Sequence, residues 1–107
     1  MRNLTLLTDF YELTMMYGYF KEGKKDQIAT FDLFFRPFEE SSFCIVAGIE
    51  QAVEYLQNLR FTDEDIDYLR TTNTFGEDFL TWLKDFKFTG SVKAMKEGTV
   101  VFPYEPI

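Results

Sequence analysis

From Asp9 onward the pattern of apolar and polar positions switches between a period near 3.6 and a period of two, and the switches mark the predicted elements. Asp9 followed three places later by Glu12 is a capping-box arrangement, and the spacing predicts a helix running to Glu22 with Gly23 just past its end. Its apolar residues fall on two stripes, Phe10, Leu13, Tyr17 and Phe20 on one and Tyr11, Met15 and Gly18 on the next. That arc is wider than a surface helix needs and predicts two neighbours for it. After a turn at residues 23–26, residues 28–36 are rich in β-branched and aromatic side chains and read as a strand. Ala29, Phe31, Leu33 and Phe35 share one face, and Arg36 and Asp32 project together from the other, beside Phe34. Pro37 ends the strand, and a loop with Glu39, Glu40, Ser41 and Ser42 leads to a short apolar run at residues 43–47, expected to be buried on both faces.

Beyond Gly48, the residues Ile49, Ala52, Val53, Leu56 and Leu59 recur at helical spacing with polar residues outside, the clearest amphipathic helix in the chain. Thr62 with an acidic first turn opens a short helix ending near Arg70, and after a polar break a further amphipathic stretch begins near Gly76, with Trp82 at its edge. The period then changes again: residues 91–95 and 99–102 read as two strands joined through Lys96-Glu97-Gly98, a hairpin whose glycine takes a positive φ. The order is helix, two strands, two or three helices, two strands, which is an α+β domain and not the alternation of a doubly wound sheet.

A length of 107 residues suits one domain, and 46% hydrophobic with 27% charged residues is a folding composition without any apolar run long enough to span a membrane. A formal charge of -7 with no basic patch argues against nucleic acid and anionic membranes as partners. Histidine is absent and Cys44 is the one cysteine, so zinc sites, Ser-His-Asp triads and Cys-His dyads built within this chain are excluded. Thirteen phenylalanines, six tyrosines and one tryptophan exceed what so small an interior readily holds, so some rings are expected at an interface. The broken apolar run at residues 1–7 is too short for a signal peptide, and with an unpaired Cys44 it suggests a cytoplasmic protein. Residues 99–107 read as strand and extended segment with no closing cap, as though the chain were cut.

Most carboxylates fall on exposed helical faces or in first turns, where solvation or capping accounts for them. Cys44 in an apolar strand reads as a small core residue, and Gly18, Gly48 and Gly98 make no phosphate loop. Chemistry read from residues alone therefore stops at an aromatic-rich α+β domain.

One further pattern runs through the whole chain. Thr8-Asp9-Phe10-Tyr11-Glu12-Leu13-Thr14-Met15 is followed in order by Phe31-Asp32-Leu33-Phe34-Phe35-Arg36, Ala47-Gly48-Ile49-Glu50-Gln51-Ala52, Phe61-Thr62-Asp63-Glu64-Asp65-Ile66-Asp67-Tyr68-Leu69 and Glu97-Gly98-Thr99-Val100-Val101-Phe102-Pro103-Tyr104-Glu105-Pro106. This series resembles the nicotinate phosphoribosyltransferase family. The resemblance implies that residues 1–107 form an N-terminal α+β domain of the α/β-hammerhead-like type found in nicotinate and quinolinate phosphoribosyltransferases, with the C-terminal catalytic barrel absent. It implies an enzyme joining nicotinate to phosphoribosyl pyrophosphate in NAD salvage, with coupled ATP hydrolysis and Mg2+ on the phosphates, and a homodimer in which this domain completes the site in the partner's barrel. Neither a catalytic residue nor a metal ligand is assigned to this segment, and alone it is expected to be inactive and to bind no cofactor.

By motif, Tyr11 matches the tyrosine whose ring lies against the substrate pyridine, Arg36 matches an arginine that reaches phosphate oxygens of the sugar substrate, and Asp9 caps the helix that aims Tyr11. The sequence departs from the family pattern where Pro37 follows Arg36 directly, which shortens the next loop. Two other readings stand beside this one: a stand-alone module that dimerises through its aromatic helix, and a relative acting on quinolinate or nicotinamide.

Overall fold

The computed structural model describes residues 2–39 and 42–107; Glu40 and Ser41, in the loop expected after Pro37, lie outside the described residues, as does Met1. The elements follow the chain as α1 (Phe10–Lys21), β1 (Cys44–Ile45), α2 (Ile49–Asn58), α3 (Asp63–Thr71), α4 (Glu77–Lys84) and β2 (Val100–Val101). This is an α+β chain, as the periodicity predicts. It divides into two compact units, Met1–Ile28 with Tyr55–Phe88, and Ala29–Glu54 with Thr89–Ile107. No helix among the described residues is long and apolar enough to cross a membrane.

The first unit is helical. Asp9 is the N-cap of α1 in an extended conformation and shares a capping box with Glu12, while Gly23 just beyond the helix takes φ +68°, so both ends lie where the sequence places them. Helix α3 starts from Thr62, whose hydroxyl accepts the Asp65 N–H at 3.2 Å while the Asp65 carboxylate accepts the Thr62 N–H at 2.9 Å. The same Asp65 carboxylate takes the Asn3 amide at 2.9 Å, and the buried Thr5 hydroxyl accepts the Arg60 N–H at 3.1 Å, so the chain start is tied to this helix by polar contacts. Helices α3 and α4 pack together, and the core is built from Leu13, Phe61, Ile66, Leu69, Phe79, Leu80 and Leu83. Phe79, Leu80 and Leu83 are completely buried; removing a side chain of this size from such a position costs about 2–5 kcal/mol.

The second unit carries the sheet, and here the expectations need correction. Val100–Val101 pairs antiparallel with Cys44–Ile45, Cys44 opposite Val101 and Ile45 opposite Val100, and not with residues 91–95, which form no strand. The turn between the two expected strands is present: Thr99 donates its N–H to the Lys96 carbonyl at 3.1 Å, and Gly98 takes φ +79°. It delivers the chain to β1 instead, through Gly98 N–H to the Val46 carbonyl at 2.8 Å and Val46 N–H to the Thr99 carbonyl at 2.9 Å. The run at residues 43–47 is not buried on both faces, since Val46 is buried, Cys44 is half-buried and Phe43 and Ile45 are exposed.

Residues 28–36 are extended without forming a regular strand. Their partner is the chain end: Tyr104 donates its N–H to the Phe35 carbonyl at 3.0 Å and Ile107 to the Leu33 carbonyl at 2.8 Å. Pro103 and Pro106 have no N–H to offer, so a continuous ladder cannot form opposite this segment. Phe31 and Leu33 stay 89% and 73% exposed.

Candidate functional site

Helix α1 packs by one side and is exposed on the other among the described residues. On the held side, Tyr17 meets Phe75 edge-on with ring centres 5.6 Å apart and Phe79 at 5.0 Å, and its hydroxyl accepts the Gly76 N–H at 3.3 Å. Phe20 lies 5.5 Å from Phe79 and 5.4 Å from Trp82. At the C-terminal end of α1 the Lys21 ammonium lies 2.9 Å from the Asp78 carboxylate and 5.4 Å from the Tyr17 ring centre. The hydrogen bond to Asp78 raises the Lys21 amine, and the same bond with the Phe79 N–H lowers the Asp78 carboxyl. The second apolar stripe meets a different fate from the two-neighbour expectation: Tyr11, Met15 and Gly18 are all exposed, and so is Tyr19 beside them.

At the start of this helix the sequence-predicted residues Asp9 and Tyr11 stand together. The Glu12 carboxylate accepts the Asp9 N–H at 3.2 Å and the Thr8 hydroxyl, and the Thr14 hydroxyl donates to the Tyr11 carbonyl at 2.9 Å. The turn that carries Tyr11 is thus closed on both sides, and the ring projects 60% exposed with no other ring of the described residues paired against it. Tyr55 on α2 escapes a sequence reading: burial, then the charge of Glu12, push its phenol above its ordinary value.

Arg36 falls in the second unit and is exposed. Arg36 and Asp32, which strand alternation would project together, make no ion pair, and among the described residues no carboxylate lies within ion-pair distance of the guanidinium. The reason is that alternation holds only in a regular strand, and residues 28–36 do not form one. A guanidinium fork is suited to two oxygens of one phosphate.

Also unforeseen is the role of Glu97. One oxygen of its carboxylate accepts the N–H groups of Gly48, Ile49 and Glu50 at 2.9, 2.6 and 3.4 Å, capping α2 from the turn before β2. No local signal announces this, because donor and acceptor are 48 residues apart at the shortest of these bonds. Among the described residues no group of three or more metal-ligating side chains converges.

Residues 6–107 match the family model of the nicotinate phosphoribosyltransferase (NAPRTase) N-terminal domain. The chain belongs to this family. Among relatives of the NAPRTase family, it is 45% identical over 107 residues to the nicotinate phosphoribosyltransferase of Bacillus subtilis, covering 98% of this chain and 22% of that one. It is 43% identical over 102 residues to the Mycobacterium tuberculosis nicotinate phosphoribosyltransferase pncB2, covering 94% of this chain and 22% of that protein. The Caenorhabditis elegans nicotinate phosphoribosyltransferase is 37% identical over 107 residues, with 95% of this chain and 19% of the relative covered. The chain therefore spans about a fifth of the length of the curated relatives it matches.

Proposed function

We propose that this chain works as the N-terminal, hammerhead-like domain of a cytoplasmic nicotinate phosphoribosyltransferase, which joins nicotinate to phosphoribosyl pyrophosphate to give nicotinate mononucleotide and pyrophosphate in NAD salvage. The observation that carries the reading is Tyr11: an exposed aromatic ring on a helix whose opposite face is locked into the core and whose first turn is fixed by Asp9 and Glu12. Such a ring offers a flat face to a flat heteroaromatic acid, held in place before the substrate arrives. Asp9 acts through the helix start and sets where Tyr11 points. Arg36, free of described carboxylates, takes the phosphate oxygens of the sugar substrate.

The barrel that completes the site belongs to a further domain, with a second copy of the protein supplying the other half of a homodimer. The exposed stripe of Tyr11, Met15 and Tyr19 and the bare faces of Phe31 and Leu33 support such interfaces. Coupled ATP hydrolysis and Mg2+ are part of the proposed reaction. We assign both to the barrel, and to this chain the binding and orienting of substrate.

The test is a chimera in which this chain replaces the matching segment of the Bacillus subtilis relative, which is 45% identical to it. The chimera is expected to form nicotinate mononucleotide, and the isolated 107-residue chain to form none. A folded chimera without activity, or sustained turnover by the isolated chain, would overturn the reading.

A further inference from the structure

Two residues other than glycine take a positive φ among the described residues, Asn73 at 54° and Tyr104 at 65°. Asn73 follows the end of α3, a place where asparagine is at home. Tyr104 has no such excuse. It sits in the turn Phe102-Pro103-Tyr104-Glu105, closed by the Glu105 N–H to the Phe102 carbonyl at 3.2 Å and again by the Phe102 N–H to the Glu105 carboxylate at 2.8 Å. Proline in the second place and a positive φ in the third is the pattern of a type II turn, whose third place favours glycine or asparagine. A bulky residue there is strained.

What the strained residue holds is the segment leading into Arg36. The Tyr104 N–H meets the Phe35 carbonyl at 3.0 Å, and its ring lies 5.7 Å from the Phe34 ring at 45°. Ile107 adds its N–H to the Leu33 carbonyl at 2.8 Å and accepts the Met95 N–H at 2.6 Å. With no regular ladder along residues 28–36, these contacts help hold the backbone just before the guanidinium, and Pro37 fixes it just after. Glycine at 104 would remove the strain and keep the N–H, but would lose the ring on Phe34.

We propose that Tyr104 is a positioning residue for Arg36, its ring retained at a glycine-favouring turn position because it clamps the Phe34–Phe35 backbone that aims the guanidinium at substrate phosphate. The proposal rests on the reading of Arg36 as a phosphate-binding residue. Tyr104 itself touches no substrate in this account.

The experiment compares Tyr104→Gly, Tyr104→Phe and Arg36→Ala in two measurements. In the 107-residue chain, Tyr104→Gly is expected to leave the thermal midpoint unchanged or raise it, while the Ile107 amide exchanges with solvent about tenfold faster; Tyr104→Phe keeps the slow exchange. In the chimera, Tyr104→Gly is expected to raise KM for phosphoribosyl pyrophosphate about tenfold with little change for nicotinate, and Tyr104→Phe to restore it. A merely structural tyrosine would lower the midpoint and move both KM values together, which would overturn the proposal. So would unchanged amide exchange in Tyr104→Gly. If Arg36→Ala leaves KM for phosphoribosyl pyrophosphate unchanged, the Arg36 reading fails and the positioning role with it. If Arg36→Ala raises that KM and Tyr104→Gly does not, the positioning role alone fails.

Discussion

Replacing Glu97 by alanine should destabilise the start of α2. The first N–H groups of a helix have no partner inside it, and at α2 those of Gly48, Ile49 and Glu50 converge on one Glu97 oxygen at 2.9, 2.6 and 3.4 Å. A hydrogen bond to a charged acceptor contributes about 1.5–3 kcal/mol net, and a carboxylate at a helix N-terminus gains a further few tenths to 1 kcal/mol from the dipole. Glu97 is exposed and the bonds share one oxygen, so water replaces part of the interaction and the three do not add. The expected cost of Glu97→Ala is therefore about 2 kcal/mol, and of Glu97→Gln, which keeps an acceptor and loses the charge, about 1 kcal/mol. In a chain of this size 2 kcal/mol lowers the thermal midpoint by roughly 8–16 °C, well within reach of a circular-dichroism melt. Faster amide exchange at Gly48 and Ile49 should accompany it. The control is Asp26→Ala, which breaks only the exposed pair with Lys25 at 2.8 Å and should stay within about 0.5 kcal/mol of the parent. A Glu97→Ala chain as stable as that control would refute the reasoning.

Phe79→Ala, which empties the centre of the first unit, should cost about 3–5 kcal/mol in denaturant unfolding. Tyr11→Ala, by contrast, should leave the melt within about 0.5 kcal/mol because the ring is exposed, yet in the chimera weaken nicotinate binding more than that of the sugar phosphate; equal losses would point to a folding role. The hydrogen bond from Arg70 holds the Glu77 carboxyl below the usual carboxylate range, as Lys21 does for Asp78. Both groups favour the fold above that range, and their contribution should fade as pH falls through the lowered values; a melt series from neutral to acid should lose that part of its slope in the Glu77→Gln, Asp78→Asn double variant.

Local chemistry decided much of this protein before any tertiary contact. Asp9 with Glu12, Thr62 with Asp65, Gly23 past α1 and Gly98 in its turn each act within four residues, so the sequence alone placed three helix starts, at Asp9, Thr62 and Gly76, and the turn before β2. The ordered series of motifs also sufficed for the family, because each is a short string of side chains. Strand partnership was another matter. A period of two states which residues can share a face, and says nothing about which backbone supplies the opposing N–H groups. The structure gave β2 to Cys44–Ile45, and set Pro103 and Pro106 near the segment that was to be a strand, where the missing donors stop a ladder. Glu97 on the start of α2 and Tyr104 at positive φ are likewise products of tertiary structure: one joins residues far apart in the chain, and the other takes a backbone conformation that its own side chain disfavours. Caps and turns are bonds between neighbours and are written in composition and spacing, whereas pairing and strain depend on where distant backbone is finally brought to rest.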